Sequence, residues 1–241
     1  MTRRTLDETL AFVTRVEQAK AAADVASIVI NEAAQYGCTN VLAGTIPFPG
    51  MTPEQQIANV IMQDWPEEWS QRYFTQNYLF EDPTIDRVNS STEPFLWSEL
   101  EPIYRDDNRA MRVMNEASDF KLGHGLTIPM VTLDGLKAGF SLAGERVELP
   151  PLARKKLQLT STFALVRALT LNDDRERTRL TIRELDVLHW LAEGKGDWEI
   201  SVILNVSEHL VDKMARNIKR KLNAANRTHA VALALRQKLI T

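Results

Sequence analysis

From Asn172 to Arg179 the chain reads Asn-Asp-Asp-Arg-Glu-Arg-Thr-Arg, eight residues without one apolar side chain. A stretch with nothing to bury does not belong in a core, so it divides the 241 residues into two separately packed parts. The reading is therefore a domain over 1–171, a linker over 172–179 and a small domain over 180–241. Hydrophobic residues make up 44% and charged residues 25%, which excludes disordered, collagen-like and low-complexity chains. No apolar run reaches the roughly 18 residues that span a bilayer, and Met1–Glu8 has no secretory apolar region. A cytoplasmic protein without a membrane partner is expected. The lone Cys38 closes neither an internal disulfide nor a cysteine zinc site, and the four histidines lack metal-ligand spacing.

The first part reads as mixed helix and strand. Apolar positions from Leu6 to Ala33 are spaced for two amphipathic helices, with Gly37 just past the second. Residues 40–46 read as a strand, 47–53 as a loop and 66–78 as a helix with Pro66 in its first turn. Asp134-Gly135 supplies the turn of a hairpin over 125–133 and 137–143, and a helix over 150–170 closes this part.

The second part is all-helical. Thr181-Ile-Arg-Glu184 is a capping box opening a helix that buries Leu185, Leu188 and Leu191, stopped by Gly194-Lys-Gly196. Asp197 is read as the cap of a second helix with Ile200, Ile203 and Leu204 inward. Ser207 caps a third helix whose inner face is Val211, Met214, Ile218 and Leu222, and Asn226-Arg-Thr228 opens a fourth. A short helix, a tight turn and a longer basic helix make a helix-turn-helix. Residues 212–238 hold eight lysines and arginines against the single acidic Asp212, a charge layout for nucleic acid. The plain alternative for those charges is a solvated helix face.

Leu180-Thr-Ile-Arg-Glu184, Glu193-Gly-Lys195, Glu199-Ile-Ser-Val-Ile-Leu204, Val206-Ser207 and Asn226-Arg-Thr228 resemble the four-helix DNA-binding module of LuxR-type regulators, with hallmark residues at Glu184, Leu188 and Gly194. In the first part Trp69, Tyr73, Asp82, Pro83, Trp97 and Gly125 fall at intervals of 4, 9, 1, 14 and 28. Those residue types and intervals resemble the acyl-homoserine-lactone-binding domain of quorum-sensing LuxR regulators. The resemblance implies an α+β fold, an α/β/α sandwich followed by the helical module, and a homodimer reading a near-palindromic site on double-stranded DNA. It also implies activation through RNA polymerase, with repression left open, and no cofactor beyond the lactone.

The chemistry of that ligand suits these residues. An acyl-homoserine lactone is uncharged, with two carbonyls and one amide N–H on an apolar tail, and each polar group must be satisfied when buried. By the resemblance, Trp69 donates its indole N–H to the lactone carbonyl, Asp82 accepts the amide N–H and Tyr73 donates to the acyl carbonyl. Trp97 lies against the lactone ring, Pro83 fixes the chain beside Asp82, and Gly125 allows close backbone approach. Ser141 is an auxiliary hydroxyl, and Trp65, placed one helical turn before Trp69, lines the pocket. On the third helix of the module His209, Lys213 and Arg216 are assigned to bases or their surroundings, and Lys219, Arg220 and Lys221 to phosphates. Leu210 and Met214 depart from the usual threonine and histidine, and Asp212 adds a negative charge near DNA.

Two other functions remain open on sequence alone. One is a dimeric DNA-binding regulator that needs no ligand; the other is a lactone-processing enzyme. The enzyme needs a metal cluster or an activated nucleophile, and neither pattern is found: Gly139-Phe-Ser-Leu-Ala143 lacks the final glycine of a nucleophile elbow.

Overall fold

The computed structural model describes residues 3–132, 135–176, 180–222, 224–236 and 239–240. Two compact units divide the chain, Met1–Arg175 and Glu176–Thr241. The first contains α1 (Arg3–Gln18), α2 (Ala22–Ala33), β1 (Asn40–Thr45), α3 (Pro53–Ile57), β2 (Val60–Gln63), α4 (Glu67–Thr75) and α5 (Pro83–Ser90). It continues through β3 (Phe95–Leu96), α6 (Glu101–Tyr104), α7 (Asn108–Asp119), β4 (His124–Val131), β5 (Lys137–Gly144) and α8 (Pro151–Glu176). The second holds α9 (Ile182–Ala192), α10 (Asp197–Leu204), α11 (Glu208–Lys221) and α12 (Arg227–Arg236).

The five strands form one antiparallel sheet in the order β2-β1-β5-β4-β3. Alternation along each strand gives the sheet two unlike faces. Val41, Ala43, Leu126, Ile128, Phe140 and Leu142 pack with Phe12 and Val16 of α1, Val25 and Val29 of α2, and Leu157 and Leu165 of α8. Lys156, buried on α8, ties that layer together through Glu8 at 3.1 Å and Glu32 at 2.7 Å. The opposite face carries Leu42, Gly44, Thr127, Gly139 and Ser141, beneath an aromatic core of Trp69, Tyr73, Phe74, Tyr78, Phe95 and Trp97. Most sheet residues on this side are small, so helices α4, α5 and α7 leave hollows above it.

Several boundaries differ from the sequence reading, for local reasons. Helix α4 stops at Thr75 because Asn77 adopts φ +57, a conformation that cannot continue a right-handed helix. Pro66 precedes it as the N-cap, and Trp65 lies outside the helix. Helix α8 runs through Glu176, beyond the expected end at 170, so residues 172–176 of the expected linker are helical. Those residues include neither glycine nor proline, and polarity alone does not break a helix. Residues 177–179 and Asp134 lie outside the described residues. Gly37 does follow α2, at φ +82, where a Cβ would fall 1.8 Å from the Arg146 carbonyl oxygen. Helix α3 begins at the last residue of the expected 47–53 loop and has no counterpart in the sequence reading, although Thr52 and Gln55 form a capping box with Pro53 behind the cap.

In the second unit the capping box is present: Thr181 Oγ1 accepts the Glu184 N–H at 3.2 Å, and Glu184 Oε2 accepts the Thr181 N–H at 2.7 Å. The stripe α9 buries is Glu184, Val187 and Leu188, with Leu185 and Leu191 half-buried. Gly196 caps α10 in place of Asp197, which instead forms a bidentate pair with Arg227 at 2.5 and 2.7 Å. Ile203, read as inward, is 44% exposed because α10 turns Ile200 to the core. Ser207 caps α11, whose inner face is Val211, Ala215 and Ile218, and Asn226 Oδ1 accepts the His229 N–H at the start of α12.

Candidate ligand cavity and nucleic-acid interface

Asp82 lies at the start of α5, with Pro83 at the first helical position. Its Oδ1 accepts the Thr84 N–H at 2.8 Å and its Oδ2 accepts the Tyr73 O–H at 2.7 Å. Burial pushes the Asp82 carboxyl above its usual range, while the bonds from Thr84 and Tyr73 pull the other way. Burial, then the Asp82 charge, pushes the Tyr73 phenol well above its own, so Tyr73 is a neutral donor. Trp69 is 1% exposed and meets Trp65, Tyr73, Tyr78 and Phe120 at ring centroid distances of 5.5–6.3 Å.

On the sheet side Trp97 Nε1–H donates to Thr127 Oγ1 at 2.9 Å, and Thr127 Oγ1 lies 2.9 Å from Ser141 Oγ. Two hydroxyls share one hydrogen bond in that pair, so one hydroxyl hydrogen is left over for another acceptor. Gly125 accommodates the Trp97 indole: a Cβ there would fall 2.5 Å from Trp97 Cε2. The close approach read from the sequence is therefore made by a side chain of the protein itself. Thr127 escaped the sequence reading, yet it lies two residues beyond Gly125 on β4 and so on the same face.

These residues enclose two adjoining hollows. The first, about 40 Å³, is lined by Trp65, Trp69, Tyr73, Asp82 and Trp97 together with Met114 and other apolar side chains. The second, about 50 Å³, is lined chiefly by apolar residues, among them Ile46, Phe74, Leu79 and Val88, with Gln56 in its wall. Leu42, Tyr73, Thr84, Ile85 and Ser141 line both, so the two lobes lie side by side. A larger hollow of about 340 Å³ lies elsewhere, lined by Glu81, Asp86, Arg87 and Arg109 beside exposed Ile103. Its charged walls suit an uncharged, apolar-tailed molecule far less well. His124 opens β4, and its Nδ1 lies 3.0 Å from the Glu145 carbonyl oxygen. No group of three or more histidine, cysteine or acidic side chains is placed to hold a metal among the described residues.

In the second unit α10, a turn through Asn205 at φ +53, and α11 form the helix-turn-helix. His209, Lys213, Arg216 and Arg220 are exposed and spaced as one stripe, opposite the buried Val211, Ala215 and Ile218. Asp212 is paired with Arg216 at 2.7 Å and lies 3.5 Å from Arg227, which offsets its charge. Lys219 is half-buried beside the stripe. The Lys221 Nζ meets Glu184 Oε2 at 2.7 Å, joining the end of α11 to the start of α9. Burial alone would raise the Glu184 carboxyl, but Lys221 and Thr181 hold it below its usual value.

A cavity with a polar wall in an α/β/α sandwich, followed by a helix-turn-helix with an exposed basic stripe, defines a ligand-responsive DNA-binding regulator. Residues 21–168 match the autoinducer binding domain, and residues 178–234 match the luxR family of bacterial regulatory proteins. The chain is 39% identical over 234 residues to the HTH-type quorum sensing-dependent transcriptional regulator RpaR of Rhodopseudomonas palustris, covering 96% of this chain and 94% of that protein. It is 34% identical over 209 residues to the transcriptional activator protein BjaR1 of Bradyrhizobium diazoefficiens, covering 86% and 85%. The fold matches crystalline Escherichia coli SdiA with a TM-score of 0.74 at 23% identity, over 98% of this chain and 99% of that one. The chain belongs to the LuxR family of autoinducer-binding transcriptional regulators. No helix among the described residues is long and apolar enough to cross a membrane.

Proposed function

We propose that the autoinducer is an N-acyl-homoserine lactone, held with its head in the first lobe and its acyl group in the second. The observation that carries this reading is the buried Asp82–Tyr73 pair on the wall of an otherwise aromatic hollow. Among the described residues the Trp69 N–H has no protein acceptor, whereas that of Trp97 is taken by Thr127. Trp69 therefore donates to the lactone carbonyl and Trp97 offers its ring face. The ligand amide N–H donates to Asp82, which frees the Tyr73 hydroxyl hydrogen for the acyl carbonyl. The spare hydroxyl hydrogen of the Thr127–Ser141 pair reaches the same region, since Ser141 lines both lobes. Pro83 and Gly125 hold the shape of the site, and Trp65 closes its rim. The lactone leaves as it entered, and no catalytic step is assigned.

The protein acts in the cytoplasm as a homodimer, presenting two α11 helices to a near-palindromic double-stranded DNA site. Leu152, Leu159 and Val166 support the dimer: they are exposed and fall seven residues apart along α8. His209, Lys213 and Arg216 serve base edges and their surroundings, with Lys219 and Arg220 toward phosphate. The exposed pair Trp198 and Val202 on α10 is the apolar surface offered to RNA polymerase for activation.

Melting curves of the full chain test the ligand. A lactone that binds only the folded state adds about 2.7 kcal/mol at a hundredfold excess over its Kd. An upward shift with acyl-homoserine lactones is expected, with none for the ring-opened acids, which would bury a second carboxylate beside Trp69 in the hollow that already holds Asp82. Asp82→Asn should abolish the shift. No shift with any lactone would favour a regulator that needs no ligand.

A further inference from the structure

The second lobe contains an acceptor that the protein leaves unsatisfied. Gln56, on α3, is fully buried and lines this lobe but not the first. Its Nε2 donates to the Met51 carbonyl oxygen at 3.0 Å and to Asn77 Oδ1 at 2.8 Å. A backbone carbonyl only accepts, so it fixes which end of the amide faces it. Gln56 Oε1 is the end left over, and it has no hydrogen-bond partner among the described residues. Buried polar atoms are nearly always paired, and an orphaned acceptor on a residue that lines a cavity calls for a donor from outside the chain. Ile46, Pro47, Phe74, Leu79 and Val88 around the lobe offer no side-chain donor.

We infer that the acyl group of the ligand carries a hydroxyl at its far end, donated to Gln56 Oε1. The inference rests on the lactone reading above, which places the head beside Trp69 and Asp82. The position follows from the walls: a hydroxyl next to the acyl carbonyl stays by Tyr73, Thr84 and Ser141, which line both lobes, whereas Gln56 belongs to the distal lobe alone. A neutral hydroxyl also fits the surroundings better than an amine, because a buried cation in this apolar lobe would be heavily penalised.

The test compares equilibrium affinities of the full-length protein for matched homoserine lactones, read by calorimetric titration. Straight tails of graded length and tails ending in a phenyl ring are each used with and without a hydroxyl on the terminal carbon or ring. In the pair that binds best, the terminal hydroxyl should tighten binding about fivefold to tenfold. In Gln56→Met that ratio should fall to about one. Equal or tighter binding of every tail lacking the hydroxyl would overturn this inference while leaving the lactone reading intact, and so would a preference for a hydroxyl beside the carbonyl. A preference that survives in Gln56→Met removes Gln56 from the role. Failure of both series to bind would overturn the lactone reading and this inference together. The wild-type ratios decide the matter even if Gln56→Met does not fold.

Discussion

At Asp82 two demands meet on one carboxyl: Oδ1 caps α5 through the Thr84 N–H, and Oδ2 takes the Tyr73 hydroxyl. Burial still raises its folded pKa above that of the unfolded chain. Stability from such a group is fully present below the unfolded pKa and lost as pH rises through the folded one. Wild type measured against Asp82→Asn should therefore lose relative stability as pH rises from about 4, the unfolded value, through the raised folded pKa of Asp82. Urea midpoints of the two proteins check this, and a flat or rising difference would contradict it. Gly125 makes a steric claim at the same scale. Gly125→Ala places a methyl 2.5 Å from Trp97 Cε2, against an indole already fixed by Thr127. The expected cost is about 1–3 kcal/mol of stability, as for other overpacked cores. Lactone affinity should fall with it, read by melting and titration of the same variant. The motif positions were legible because intervals between rare residue types survive in one dimension. Thr127 and Gln56 were not, since threonine and glutamine are common and their roles come from what the fold sets beside them.

Between elements, the most informative link in the second unit is Glu184, which returns to its own N-cap and also accepts Lys221 from the far end of α11. Glu184→Ala removes both and should cost about 1–3 kcal/mol, whereas Glu184→Gln keeps the capping geometry and should cost less. Amide exchange in α9 and α11 reads the difference. The Glu184 carboxyl is held below its usual value, so its contribution is present above the unfolded pKa and lost as pH falls through the folded one. Helix caps were the best-read features here, at Thr181, Ser207 and Asn226, because a cap is decided within four residues. Helix ends set by backbone conformation, such as that of α4 before Asn77, carry no comparable signature in composition.

For the whole molecule, the proposed dimer turns on the α8 stripe. Leu159→Glu puts a charge in the middle of Leu152, Leu159 and Val166, all more than half exposed, so the monomer fold should tolerate it. Sedimentation should show a monomer, and affinity for a palindromic site should fall at least about tenfold once the two α11 helices no longer bind together. A variant that still sediments as a dimer would move the interface elsewhere.

The sequence by itself determined the division into two units, the helix-turn-helix and the identities of the aromatic and acidic residues that the fold gathers around one hollow. Each rests on information local to a few dozen residues: period, capping and interval. Only the tertiary structure decided which polar groups meet. Tyr73 finds Asp82, Trp97 finds Thr127, and Lys221 finds Glu184, across separations of 9, 30 and 37 residues. The physical reason is that a hydrogen bond depends on distance and direction in space. Sheet register and helix packing set both, and neither is recorded in any single stretch of chain.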